Sequence, residues 1–304
     1  MTEPSLNFVD CPDPAGGHQL AYWQWGDSAS PHVVVCVHGL SRQGRDFDVL
    51  ASALCARAEV MGQTLRVICP DMPGRGKSQW LKDPMGYQVP AYAADMLVLL
   101  AYVHQHAPIT TLDWVGTSMG GLIGMVVAGQ SKLPLVLPLR KLVLNDVGPA
   151  LQWSALTRIG TYLGKAGEFE SLEHAADAMW AISSSFGPHT PEQWLALSRH
   201  MVKPSDGTDA LTLHYDPAIA VPFAAATEET TLQGEAMLWA LYDHISAQTL
   251  LVRGAQSDLL TRETALAMTQ RGPHARLIEF EGVGHAPTLI ASDQVATVTD
   301  FLLE

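Results

Sequence analysis

Leu112-Asp113-Trp114-Val115-Gly116-Thr117-Ser118-Met119-Gly120-Gly121 is the stretch whose reading decides the fold. An apolar run of β type enters Gly-Thr-Ser-Met-Gly, and the helix-compatible run Leu122-Ile123-Gly124-Met125-Val126-Val127-Ala128 leaves it. Gly-x-Ser-x-Gly between a strand and a helix puts the serine on a tight, strained turn, with its hydroxyl pointing out beyond the sheet edge. A side chain at 116 or 120 would crowd the neighbouring strand and helix, so glycine is the residue that fits. The helix that begins after Ser118 turns its free N–H groups toward the same point, where they favour developing negative charge.

Outward from this turn, apolar runs and helical stretches alternate. Pro31 to Gly39 and Thr64 to Cys69 read as strands buried on both faces, because they are apolar without alternation. His18 to Trp25 alternates partly and reads as an edge strand. Helices are expected at about 47–58 and 92–105, and a further strand at 140–144. The rhythm stops after Ala150 and returns with a strand at 249–254, a helix at 261–270, a strand at 276–280 and a last helix at 294–303. The implied fold class is α/β: a mainly parallel, doubly covered sheet built from 1–149 and 236–304, with a helical cap inserted at 150–235. Trp153, Trp180 and Trp194 lie in that insertion, either packing its core or lining a pocket.

In a sheet of this kind the site lies beyond the C-terminal strand ends. His38, Asp71, Ser118, Asp146, Asp258 and His285 each fall just after an expected strand. A serine hydroxyl needs a base to take its proton and a carboxylate to orient the base. His285, in the glycine-framed loop Gly282-Val283-Gly284-His285, is the candidate base. Asp258 is the candidate acid, with Asp146 as its rival. The chain order Ser, Asp, His matches one known arrangement of the triad. The oxyanion donors expected are the backbone N–H groups of Met119, after the nucleophile, and Leu40, after His38-Gly39. Arg42 and Arg45 are expected to pair with Asp46 or Asp48; a substrate carboxylate is the other possible partner for one of them.

Composition bounds the rest. The chain has 304 residues and a net charge of -13, which argues against nucleic acid or an anionic membrane as partner. No long apolar run and no signal-peptide pattern is visible, and Cys11, Cys36, Cys55 and Cys69 form no CxxC pair. Buried free thiols and a cytoplasmic location are therefore expected. With no HExxH, no catalytic metal is expected. Oligomeric state has no signature here.

His38-Gly39-Leu40, the run Asp71 to Ser78, Gly116 to Gly121, Ser257-Asp258 and Gly284-His285 together resemble the α/β-hydrolase superfamily in its helical-cap branch. The resemblance covers about 32–149 and 236–304. It implies acylation of Ser118, deacylation by water activated by His285, no cofactor, and a small-molecule substrate with an apolar part. Dehalogenases and epoxide hydrolases of this fold carry aspartate where Ser118 stands, which disfavours those activities. Carboxylic ester hydrolysis is the leading expectation. Carbon–carbon bond hydrolysis of a vinylogous diketone, lactone or thioester hydrolysis, and a non-catalytic receptor on the same fold are the alternatives. Aminopeptidases of the fold hold the substrate amine with cap acids; Glu228, Glu229 and Glu235 could serve, though a solvated face suits them better.

Overall fold

The structure is a computed structural model that describes residues 3–130, 132–165 and 167–304. Met1 and Thr2, part of the N-terminal stretch read above, thus lie outside the described residues, as does Ala166 of the insertion. The elements of the first half run β1 (Ser5–Cys11), β2 (His18–Gly26), β3 (His32–Val37), α1 (Asp48–Val60), β4 (Arg66–Asp71), α2 (Val89–His106), β5 (Thr111–Thr117), α3 (Met119–Gly129) and β6 (Lys141–Asn145). The insertion holds α4 (Trp153–Gly160), β7 (Glu168–Phe169), α5 (Leu172–Ser183), α6 (Pro191–Arg199), β8 (Val202–Pro204), β9 (Leu211–Leu213), α7 (Ala220–Ala224) and the start of α8 (Glu228–Asp243). The second half adds β10 (Gln248–Gly254), α9 (Arg262–Gln270), β11 (Arg276–Phe280) and α10 (Ser292–Leu303).

Among the described residues the main sheet has eight strands in the order β1-β2-β4-β3-β5-β6-β10-β11. Pairing is parallel from β4 through to β11, and antiparallel for β1–β2 and β2–β4. Alternation along each strand splits the core in two. Val33, Val35 and Val37 of β3 join the layer under α2 and α3, with Leu112, Trp114, Met96 and Leu99. Val34 and Cys36 join the opposite layer, with Leu50, Leu54 and Leu302 from α1 and α10. A strand with both faces covered needs apolar residues at every position, which is why these runs show no polar alternation.

Three differences from the sequence reading have physical causes. β2 is not the edge: β1 pairs outside it, a strand whose half-exposed, mixed run Ser5-Leu6-Asn7-Phe8 carries little periodic signal. The insertion is not all helix, since β7, β9 and β8 form a small antiparallel sheet; strands of two or three residues are too short to show a period. The boundary at 235 falls inside α8, which runs on to Asp243 and packs on α3 of the sheet layer. A Cβ on Gly129 of α3 would strike the Leu241 backbone, so that glycine lets the two helices close. Within the insertion, Phe169, Ala175, Met179, Trp194 and Leu197 form a separate small core. Trp180 stacks edge-on against Trp194, whose Nε1 donates to the Ala176 carbonyl at 2.8 Å. Packing fits Trp194 and Trp180, which join that small core, and none of Trp153, Trp180 and Trp194 lines the cavities at Ser118.

Candidate active site

Ser118 stands between β5 and α3 with φ 51 and ψ -116, a left-handed conformation that a non-glycine residue adopts only at a cost of about 1–3 kcal/mol. The turn can be this tight because its flanks lack side chains. A Cβ on Gly120 would run into the Val37 carbonyl, and one on Gly116 into the Gly120 backbone. Trp114 Nε1, buried beneath, donates to the Gly120 carbonyl at 3.1 Å and anchors the turn to the strand.

The Ser118 hydroxyl donates to His285 Nε2 at 3.0 Å. His285 Nδ1 in turn donates to Asp146 Oδ2 at 2.7 Å. Asp146 is fully buried, and its carboxylate also accepts from the Gly254 N–H at 2.8 Å and from Ser257 Oγ at 2.6 Å. Three donors leave its direction no freedom. The loop carrying His285 is pinned by Asn145 Nδ2, which donates to the Pro287 carbonyl at 2.8 Å, and by Ser185 of the insertion, whose carbonyl accepts from Gly284 N–H at 2.6 Å.

Asp258, the first choice from sequence, is not brought to the histidine. Its carboxylate is exposed and forms a two-point pair with Arg158 of α4, at 2.8 and 3.0 Å. The cause is the turn after β10. Ser257 points inward to Asp146, so the next side chain points outward. Asp146 directly follows β6, which lies between β5 and β10, and so stands next to the strand that leads to Ser118. A usable signal was present in the sequence: Asp146 directly follows its strand, whereas Asp258 stands four residues past Gly254, with room to rotate away.

Leu40 lines both cavities that meet at Ser118, and Met119 lines one of them. Neither backbone N–H donates to a protein oxygen among the described residues, so both are free for a substrate oxygen. The Leu40 loop is supported from below. The Met72 N–H donates to His38 Nε2 at 2.9 Å, and His38 Nδ1 donates to the Gly39 carbonyl at 2.7 Å. Burial pushes the His38 imidazole down to about 3, so it stays neutral in the form these two bonds need. Arg75, fully buried, donates to the Leu40 carbonyl at 2.8 Å and to the Tyr92 hydroxyl at 2.7 Å, and reaches Met119 Sδ at 3.9 Å. It touches both expected donor residues, a role the sequence reading did not assign. Asp71 serves the scaffold: its carboxylate accepts from the Gly44 and Lys77 N–H groups and from Trp23 Nε1. Burial raises it to about 6.

Arg42 pairs with Asp46 and Arg45 with Asp48, as the spacing implies. Glu228 and Glu229 are exposed in the first turn of α8. The four cysteines are free, and all but the half-buried Cys55 are buried. Cys11 of β1, His18 of β2 and Asp95 of α2 place ligand-type atoms within 4.8 Å of one another. His18 is shared there between Asp13 and Asp95, whose bonds and charges outweigh burial and raise its pKa. No helix among the described residues is long and apolar enough to cross a membrane.

Two cavities flank Ser118. One, of about 310 Å³, is walled on the His285 side by Arg42, Arg158 and Lys165 together with apolar residues of the insertion. The other, of about 450 Å³, lies on the Met119 side and has no charged residue in its wall.

Comparison with known proteins agrees with this architecture. The chain is 51% identical over 300 residues to a 3-hydroxybutyrate-oligomer hydrolase of Cupriavidus necator, covering 98% of this chain and 97% of that protein. It is 33% identical to the crystal structure of an alpha/beta hydrolase from Novosphingobium aromaticivorans, with a TM-score of 0.80 and 99% of each chain covered. The crystal structure of E-2-(acetamidomethylene)succinate hydrolase shares the fold at a TM-score of 0.74 and 19% identity, over 97% of this chain and 99% of that one. The sequence model of the alpha/beta hydrolase family matches residues 34–298, and the chain belongs to that family of hydrolases.

Proposed function

We propose that the protein hydrolyses carboxylic esters through an acyl-enzyme at Ser118, and that its substrates are short oligoesters of hydroxy acids. The observation that carries this reading is the continuous chain Ser118 Oγ, His285 Nε2, His285 Nδ1, Asp146 Oδ2, at 3.0 and 2.7 Å. In it, His285 takes the Ser118 proton as Oγ attacks the ester carbonyl. Asp146 steadies the imidazolium that forms. The Leu40 and Met119 N–H groups receive the oxyanion. His285 then gives its proton to the departing alkoxide, and a water attacks the acyl-enzyme by the same route in reverse roles. The similarity to the Cupriavidus oligomer hydrolase supports the oligoester substrate, as does a cleft with room on both sides of the scissile bond.

The test is a fluorophosphonate probe followed by peptide mapping, alongside a panel of p-nitrophenyl butanoate, a 3-hydroxybutyrate trimer, a thioester and a dienoic diketone. Labelling at Ser118 and turnover of the two esters are expected. Ser118→Ala should lose about 10⁴-fold or more in kcat. Faster cleavage of the diketone than of either ester would overturn the reading.

A further inference from the structure

The two cavities differ in a way that gives the substrate a direction. His285 lines only the smaller one, Met119 lines only the larger one, and Ser118 and Leu40 line both. The leaving oxygen must take its proton from His285, so the alcohol part of an ester departs on the His285 side. The acyl part then lies in the larger cavity, whose wall carries no charge.

The alcohol side is cationic in a chain of net charge -13. Asp46 is the one carboxylate in its described lining, and it is taken by Arg42. In both arginine pairs the carboxylate binds Nε and Nη2, at 2.6 and 2.7 Å for Arg42–Asp46 and 2.8 and 3.0 Å for Arg158–Asp258. Each guanidinium thereby keeps its Nη1 edge without a carboxylate. Lys165 forms no ion pair among the described residues. Arg42 also stands close to the reaction: a Cβ placed on Gly39 would lie 3.7 Å from Ser118 Cβ and 3.8 Å from Arg42 Cγ.

We infer that this wall is a carboxylate subsite, and that the protein removes hydroxy-acid units from the carboxyl end of its substrate. The inference rests on the ester-hydrolase reading above and adds a polarity to it. When a 3-hydroxy acid is the leaving group, its carboxylate lies one methylene beyond the carbon that bears the departing oxygen. Attack by Ser118 Oγ breaks the bond between the carbonyl carbon and that oxygen. The electron pair leaves on the oxygen, His285 supplies its proton, and a free hydroxy-acid anion is released against Arg42, Arg158 and Lys165. The remaining chain stays as the acyl group on Ser118, and water releases it as a new carboxyl end. Arg42 Cγ lies beside Gly39, next to Ser118, and Lys165 is exposed.

The experiment compares kcat/KM for 3-(butanoyloxy)butanoate with that for its methyl ester, with p-nitrophenyl butanoate as the control ester. One charged hydrogen bond corresponds to about tenfold, so the free acid should be preferred by about tenfold or more. In Arg158→Gln/Lys165→Gln, and in Arg158→Gln alone should the double variant not fold, that ratio should fall toward one. A 3-hydroxybutyrate trimer acetylated on its hydroxyl end should release free 3-hydroxybutyrate first. Hydrolysis of p-nitrophenyl butanoate with no preference for the free acid, or with a preference the variants leave unchanged, overturns the subsite and leaves the ester-hydrolase reading standing. Failure to hydrolyse any of these esters overturns both.

Discussion

Asp146 and Asp258 are the same residue type, each beyond a strand end, and the environment separates them. Asp146 is fully buried and bonded by three donors, one of them His285 Nδ1. Asp258 shares an exposed pair with Arg158, and such pairs contribute about 1 kcal/mol or less. Asp146→Asn should therefore lower kcat on p-nitrophenyl butanoate by on the order of 10⁴-fold, because an amide oriented by Gly254 and Ser257 cannot hold the needed imidazole tautomer. Asp258→Asn should change it by no more than about threefold. Steady-state kinetics on the two purified variants decide between the acids, and the reverse ranking would restore Asp258.

At the scale of elements, the β5–α3 turn and helix α8 show what glycine does in two settings. Gly120 sits where an added Cβ meets the Val37 carbonyl, backbone that cannot move without disturbing β3. Gly120→Ala should cost about 1–3 kcal/mol and displace the Ser118 hydroxyl. A lower Tm with near-complete loss of ester hydrolysis is the expected result. Gly234, within α8, meets nothing within 4 Å. There alanine removes only backbone entropy, so Gly234→Ala should stabilise by about 0.5–1 kcal/mol with activity retained. Calorimetry on both variants checks the opposite signs.

Two buried groups give the whole molecule opposing responses to acid. His38 is held down at about 3 by burial, against an ordinary 6.5, so between those values only the unfolded chain takes up its proton. Its contribution to stability is intact above 6.5 and is lost as pH falls toward 3. Asp71 is raised to about 6 from 3.8, so between those values the folded protein holds the extra proton. Its contribution is present below 3.8 and is lost as pH rises through 6. The two offset one another between pH 6 and 4. Asp71→Asn removes one of them, so its unfolding free energy should fall more steeply from pH 6 to pH 4 than that of the unchanged protein. Urea titrations across that range measure the slopes, and parallel slopes would contradict the assignment.

The alternation of doubly buried strands and helices, the glycine-flanked Ser118 turn and the His285 loop were legible in the chain itself, because each is written in local spacing. Val33 to Val37 could only be a strand covered on both sides, and Gly116 and Gly120 could only flank a turn too close for side chains. The small sheet β7-β9-β8, the run of α8 across position 235 and the outer strand β1 were not, since their partners lie far away along the chain. Which carboxylate meets His285 was likewise a tertiary matter. It depends on β6 lying between β5 and β10 and on one serine turning inward, which directs Asp146 to the imidazole and Asp258 to solvent. Local sequence sets which residues can carry the chemistry. Long-range strand order decides which of two equivalent carboxylates comes within 2.7 Å of the histidine.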